Sequence, residues 1–214
     1  MIQIENMSKK IRDRVVLDGI DYTFRDGMTY GLKGINGSGK TMLMRVVSGL
    51  IYPTEGRVLV DGKELGKDVS FPESIGILIE NPVFLDAYTG FGNLKLLASL
   101  NDRAGDEDIR EILQKVGLDP DDTRKYRKYS LGMKQRLGIA AALMEKPKIL
   151  LLDEPFNALD TDGVARFSKL IREEQERGTL ILLACHEEGK LEEFADVVLR
   201  MEDGRIVREE EVDG

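Results

Sequence analysis

The chain has 214 residues, 42% hydrophobic and 33% charged, which suits one soluble domain with a sizeable core. Its net charge of −8 argues against a general nucleic-acid-binding surface. The one cysteine, Cys185, excludes an internal disulfide and fits a reducing compartment, and no run of about 18 apolar residues exists to span a membrane.

Ile2, Ile4 and Asn6 alternate with polar neighbours and predict a short strand. This N-terminus carries Glu5 and is unlike a signal peptide, so a cytoplasmic location is expected. Lys9 to Arg14 reads as a charged turn, and Val15 to Phe24 as a second strand ending at the turn signal Arg25-Asp26-Gly27. Met28 to Lys33 is a short buried strand, and a helix starting at Lys40 runs to a C-cap near Gly49. Arg57–Val60, Asp61-Gly62 and Lys63–Leu65 predict a hairpin with a tight turn.

Ser74 to Glu80 is a nearly continuous apolar run, as in a buried strand. Leu94, Leu97, Ala98 and Asn101 fall on one helical face, as do Ile109, Ile112, Leu113 and Val116 on the next. A third helix is expected from about Leu131 to Met144, followed by the apolar strand Ile149–Leu152. The last third alternates: helix Thr161–Glu176, strand Thr179–Ala184, short helix Glu188–Phe194, and a hairpin from Val197 to Val207 with a charged, exposed tail from Arg208. Strands alternating with helices predict a parallel α/β sheet, with an antiparallel start and an inserted helical block near 90–145.

Gly34-Ile35-Asn36-Gly37-Ser38-Gly39-Lys40-Thr41 reads G-x-x-x-x-G-K-[ST], a phosphate-binding loop in its required strand–loop–helix context. Glycines let the backbone turn its N–H groups inward, and the following helix start favours anions. Lys40 is placed to reach the β- and γ-phosphates, and the Thr41 hydroxyl to coordinate Mg²⁺. The alternative is a Gly-rich turn that binds nothing. Asp153 ends an apolar strand and is placed for the metal, while Glu154 points elsewhere and could polarise an attacking water; the alternative is an acidic turn. His186, the one histidine, also follows a buried strand. It is either structural or a donor to the γ-phosphate that keeps water and Glu154 in register. Ser130 is first of all a helix N-cap, and Gly132 in the first turn invites close approach by a phosphate.

These motifs together resemble the ATP-binding subunit of an ATP-binding cassette (ABC) transporter over nearly the whole chain. The order is the family's: phosphate loop Gly34–Thr41, signature Ser130-Leu131-Gly132-Met133-Lys134, Walker B Ile149–Asp153 with Glu154, D-loop Asn157-Ala158-Leu159-Asp160, and switch His186. The resemblance implies a P-loop NTPase fold: a RecA-like core with an antiparallel β lobe (about 1–87), a helical lobe (about 88–145) and the core continued to 214. It implies ATP and Mg²⁺ as cofactors. Ile11 and Asn36 to Met42 would form the nucleotide site, and Thr41, Glu80 and Asp153 the metal site. Catalysis would fall to Lys40, Glu154 and His186. Ser130, Gly132 and Met133 would complete the site of a second copy, head to tail.

Three departures qualify the resemblance. The usual L-S-G-G-Q signature is Tyr129-Ser130-Leu131-Gly132-Met133 here; Glu80 stands where the family has a glutamine; and Ile11 replaces the adenine-stacking aromatic. Glu80 with Ser-Leu-Gly-Met-Lys-Gln-Arg is similar to the bacitracin and lantibiotic self-protection exporters. The expected function is therefore an ATPase on the inner face of the membrane, powering a separate permease that exports antibiotic, peptide or lipid-like cargo. Glu80 to Thr89 is the expected coupling surface, or else an ordinary loop. The alternative is a soluble ABC ATPase acting on ribosomes or DNA, which the acidic charge and the lack of an extended heptad run disfavour.

Overall fold

A computed structural model describes residues 1–186 and 189–212. In β1 (Ile2–Ile11), Ile2 and Ile4 are buried as the alternation predicts. The pairing register then shifts between Ile4 and Met7. Asn6 is therefore exposed at φ 44°, and Met7 takes the inward place instead. An inserted residue of this kind bends the strand and re-aims its faces. Opposite the irregularity, in β4 (Glu55–Val60), a Cβ on Gly56 would lie 2.2 Å from the Asn6 carbonyl oxygen.

The expected turn from Lys9 to Arg14 is mostly strand. Lys9, Lys10 and Ile11 pair with Leu17, Val15 and Arg14 of β2 (Arg14–Phe24), leaving only Arg12 and Asp13 to turn. Charged side chains are tolerated there because that end of the hairpin is exposed. β1 also pairs with β4, and Asp61-Gly62, both at positive φ, turn the chain into β5 (Lys63–Glu64). The result is an antiparallel sheet of order β2-β1-β4-β5.

The second sheet contains β3 (Thr29–Lys33), β6 (Ile75–Leu78), β7 (Ile149–Asp153), β8 (Leu180–Ala184), β9 (Val197–Glu202) and β10 (Arg205–Glu211). Its order is β10-β9-β3-β8-β7-β6, parallel except for β10. Every residue of β7 and β8 is buried, which is why these strands read as continuous apolar runs. The tail from Arg208 is exposed as expected but not irregular: it pairs with β9 as far as Glu211. The expected helix over Glu188–Phe194 begins at a position outside the described residues; residues 189–194 form turns, starting at Gly189 with φ 83°.

The helices are α1 (Lys40–Val47), α2 (Gly90–Asn101), α3 (Asp106–Lys115), α4 (Leu131–Leu143) and α5 (Thr161–Glu176). Thr89 caps α2 by accepting from the Gly92 N–H at 3.0 Å. Ile109, Ile112, Leu113 and Val116 are all buried. Of the four positions expected on one face of α2, Leu94 and Ala98 are buried while Leu97 and Asn101 stay exposed, so the buried apolar stripe there is narrower than its spacing suggests.

The sheet separates two cores. Leu150, Leu152, Ile181 and Leu183 face a cluster with α2, α3, α4 and α5. Their neighbours Ile149, Leu151, Leu180 and Leu182 face α1 and the antiparallel sheet. Strand alternation thus feeds both layers from one set of strands, at about 1.5–3 kcal/mol for each fully buried large aliphatic side chain. α4 lies so close to β6 that a Cβ on Gly76 would sit 1.9 Å from the Ala142 carbonyl oxygen. That closeness ties the C-terminal end of α4 to the start of β6.

Candidate nucleotide and catalytic site

The loop between β3 and α1 is held by strand β9 and the turn after it. A Cβ on Gly34 would come within 2.5 Å of the Met201 carbonyl oxygen. The Gly204 N–H donates to the Ser38 carbonyl at 3.0 Å, and the Gly204 carbonyl accepts from Asp18 N–H at 3.0 Å. Gly37 and Gly39 take φ of 84° and 109°, values that L side chains resist. α1 then starts on Gly39 with no side-chain cap, so its first N–H groups are open to an anion. Lys40 curls back over the loop, its Nζ donating to the carbonyls of Gly34 at 2.6 Å and Ile35 at 3.2 Å. The Ser38 hydroxyl is buried without a partner among the described residues. The open amides and the Lys40 cation form a donor set that phosphate oxygens would satisfy.

The strand ends bring the acidic groups to this loop. Asp153, the last residue of β7, accepts from the Thr41 hydroxyl at 2.6 Å. Burial pushes its carboxyl above the usual range, and the charges of Glu154 and Glu80 push the same way; the Thr41 hydrogen bond and Lys40 oppose them. Adjacent Thr and Asp oxygens are what a small hard cation takes. Among the described residues no cluster of three or more His, Cys, Asp and Glu side chains forms a closed metal cage. Mg²⁺ needs none, since phosphate and water complete its shell.

Glu154 adopts φ 50°, and its N–H donates to the Ala184 carbonyl at 2.9 Å, tying the turn after β7 to the end of β8. His186 stands just beyond β8, with Nδ1 2.7 Å from Glu154 Oε2. Among the described residues the other ring nitrogen has no partner. Glu80 forms an ion pair: its Oε1 lies 2.7 Å from Arg45 Nη2 on α1.

A cleft of about 730 Å³, a size that suits a nucleotide, opens here; Ser38 and His186 are not in its wall. Asn36, Gly37, Gly39, Lys40, Thr41, Met42, Glu80, Asp153 and Glu154 all contribute to its wall. Ile11 does not; it is exposed at the end of β1, and Val15 and Val16 line the cleft instead. Ser130, Gly132 and Met133 are not in the wall either. They begin α4, where the Ser130 hydroxyl accepts from the Met133 N–H at 3.2 Å. A Cβ on Gly132 would lie 2.8 Å from the Ala158 carbonyl oxygen, a backbone reason for glycine there. Arg45 lines the cleft without having been singled out by the sequence; Gln135 and Asn157, named there only within the signature and D-loop stretches, line it too. In a helix, Arg45 and Gln135 read as ordinary polar positions; only the turns they meet distinguish them.

The sequence family described as ABC transporter matches residues 17–157. The chain belongs to the ABC transporter family. As a member it is an ATP-binding ATPase subunit, and its relatives agree. It is 48% identical over 99% of its length to an ABC transporter ATP-binding protein of Bacillus subtilis, YybJ, covering 97% of that protein. It is 37% identical over 98% of its length to the bacitracin transport ATP-binding protein BcrA of Enterococcus faecalis, covering 68% of it. Among solved structures, the ATP-binding cassette MJ0796, a dimer bound to ADP and phosphate after hydrolysis, superposes with a TM-score of 0.90 at 23% identity, each chain fully covered. The ABC fold therefore accounts for both sheets, and among the described residues no helix is long and apolar enough to cross a membrane.

Proposed function

We propose that this ABC subunit binds ATP with Mg²⁺ in the Lys40 cleft, hydrolyses it with Glu154 as general base, and drives a separate permease that exports an antibiotic, peptide or lipid-like cargo. The observation that carries the hydrolytic reading is convergence: Lys40, Thr41, Asp153 and Glu154 reach one cleft from α1 and β7, and His186 joins Glu154 from the end of β8. Lys40 and the open α1 amides would hold the phosphates. Thr41 and Asp153 would hold Mg²⁺, with Glu80 joining on leaving Arg45; the ion would neutralise charge on the phosphates. Glu154 would take the proton of the attacking water, oriented by His186.

Ser130, Gly132 and Met133 stand outside that cleft, so they serve a second copy's nucleotide, as in a head-to-tail dimer. The dimeric form of the MJ0796 cassette supports this arrangement. A separate apolar groove of about 400 Å³ lies between the segment after β6 and helices α2 and α4, with Pro82, Val83, Leu97 and Gly138 in its wall. Val83 is 88% exposed, a large apolar side chain left for a partner. An apolar permease segment on the inner face of the membrane fits this groove better than a ribosome or DNA, which present phosphate. The relatedness to BcrA supports an antibiotic-type cargo.

The test is co-purification. Expressed in its native cell, the wild-type chain is expected to be recovered in the membrane fraction, and Val83→Glu to be lost from it while retaining ATPase activity. A Val83→Glu chain that stays fully permease-bound would exclude this groove.

A further inference from the structure

The nucleotide cleft spans several strand ends rather than one. Asp153 and Glu154 stand at the end of β7, Asp203 and Gly204 follow β9, and all four line the wall. β9, β3, β8 and β7 are mutually parallel, so their C-terminal ends share one edge of the sheet. In the sheet order β3 and β8 lie between β9 and β7. Three strand spacings of about 4.8 Å therefore put the two ends of the cleft about 14 Å apart.

The phosphate loop leaves β3, between those ends. Thr41 turns to Asp153 on the β7 side. Gly39 meets the other side: a Cβ there would come within 3.3 Å of the Gly204 Cα and of the Val16 carbonyl oxygen. A triphosphate held at the loop, with its metal at Thr41 and Asp153, carries its nucleoside toward the β9 turn and the start of β2.

That end has its own chemistry. Val15 and Val16 give it an apolar wall. Among the described residues the cations of the cleft wall are Arg14, Lys40 and Arg45. Lys40 donates to loop carbonyls and Arg45 pairs with Glu80. The guanidinium of Arg14, the first residue of β2, has no hydrogen-bond or ion-pair partner among the described residues, and neither has the Asp203 carboxylate. A guanidinium presents paired donors that match the O6 and N7 acceptors of guanine. Adenine sets an amino donor beside N7 and meets only half of that fork. A carboxylate is an acceptor only; guanine offers it a ring N–H and an amino group, and adenine the amino group alone.

We infer that Arg14 sets the base preference of the cleft, which takes GTP at least as tightly as ATP: Arg14 donates to guanine O6 and N7, and Asp203 accepts from its N1–H and amino group. The inference rests on the reading of the Lys40 cleft as a nucleotide site. The phosphate end, with Lys40, Thr41 and Asp153, is common to both nucleotides, so Arg14 acts on the choice between them.

The test is calorimetric titration of the whole chain, with Mg²⁺, using the hydrolysis-resistant β,γ-imido analogues of ATP and GTP. Wild type is compared with Arg14→Ala, Arg14→Lys and Asp203→Asn, each melted to confirm folding. Wild type is expected to bind the GTP analogue as tightly as the ATP analogue or more tightly. Arg14→Ala loses about tenfold or more for the GTP analogue and at most about threefold for the ATP analogue, the effect of one lost bidentate pair. Arg14→Lys keeps the charge without the fork and loses nearly as much for GTP, which separates base reading from general attraction of phosphate. Asp203→Asn, a residue type that tolerates the positive φ of 46° there, weakens GTP more than ATP. A wild type that binds the GTP analogue more weakly than the ATP analogue, or equal losses for both in Arg14→Ala, overturns the inference and leaves the nucleotide site standing. A wild type that binds neither analogue removes the nucleotide site and the inference with it. Should the Arg14 variants not fold, Asp203→Asn decides by the same criterion.

Discussion

Two helix starts in this chain are built in opposite ways. α1 begins without a side-chain cap, its loop wedged against β9, and the side chains around it already have partners within the chain: Lys40 on Gly34, Thr41 on Asp153, His186 on Glu154. α4 begins with its own Ser130 as cap, and Leu131 beside it is 68% exposed. The first start leaves backbone donors free and gathers the chemistry inward. The second satisfies its own donor and faces outward. On the proposed function, the contrast is between two unlike halves of a site, one that would bind and hydrolyse and one that would face a second copy.

The largest effects are expected at the inward half. Glu154→Gln keeps the shape and removes the proposed base, so turnover should fall by about a hundredfold or more while ATP affinity stays within a few-fold. Near wild-type turnover in this variant, measured by phosphate release, would remove Glu154 from its role. Lys40→Ala should lose ATP binding itself, by at least about tenfold in a direct titration, because the phosphate charge loses its one loop cation.

At the outward half the pattern reverses. Gly132→Asp places a carboxylate and a Cβ where the Ala158 carbonyl already lies close. It should abolish turnover yet leave ATP binding to the single chain unchanged, since neither Gly132 nor its neighbours line the cleft. Loss of ATP binding in this variant, with folding intact by circular dichroism, would erase the distinction between the halves.

Smaller effects sharpen it. Glu80→Gln removes a carboxylate that Arg45 holds in an ion pair. The Mg²⁺ concentration for half-maximal turnover should rise, by less than about tenfold because Asp153 and Thr41 remain. Ile11→Tyr adds a stacking face at the rim and should tighten ATP binding by about two- to fourfold, the modest gain of one aromatic contact.

Much of this was legible in the sequence because it depends on local pattern. The continuous apolar runs of β7 and β8, the phosphate loop in its strand–helix context, and the acidic residues at the end of β7 are all set by residues adjacent in the chain. What was not legible depends on pairing across the fold. The irregularity at Asn6 needs Gly56 opposite it, and the strand character of Lys9 to Ile11 needs β2 as a partner. The charged tail becomes β10 only because β9 offers an edge. Within the site, the Arg45–Glu80 pair and the grip of Gln135 on the Glu154 turn join residues that no spacing rule connects. Ile11 shows the limit from the other side: its position in the motif order points to the base, yet Val15 and Val16 form the wall.

A pocket completed by a second copy of the chain makes the mass depend on ATP, and light scattering on Glu154→Gln, with and without ATP, reads that mass. Expected are the monomer mass without ATP, twice that mass with ATP, and a return to monomer when Gly132→Asp is added. A mass that stays monomeric with ATP bound, or a dimer that survives Gly132→Asp, would contradict it.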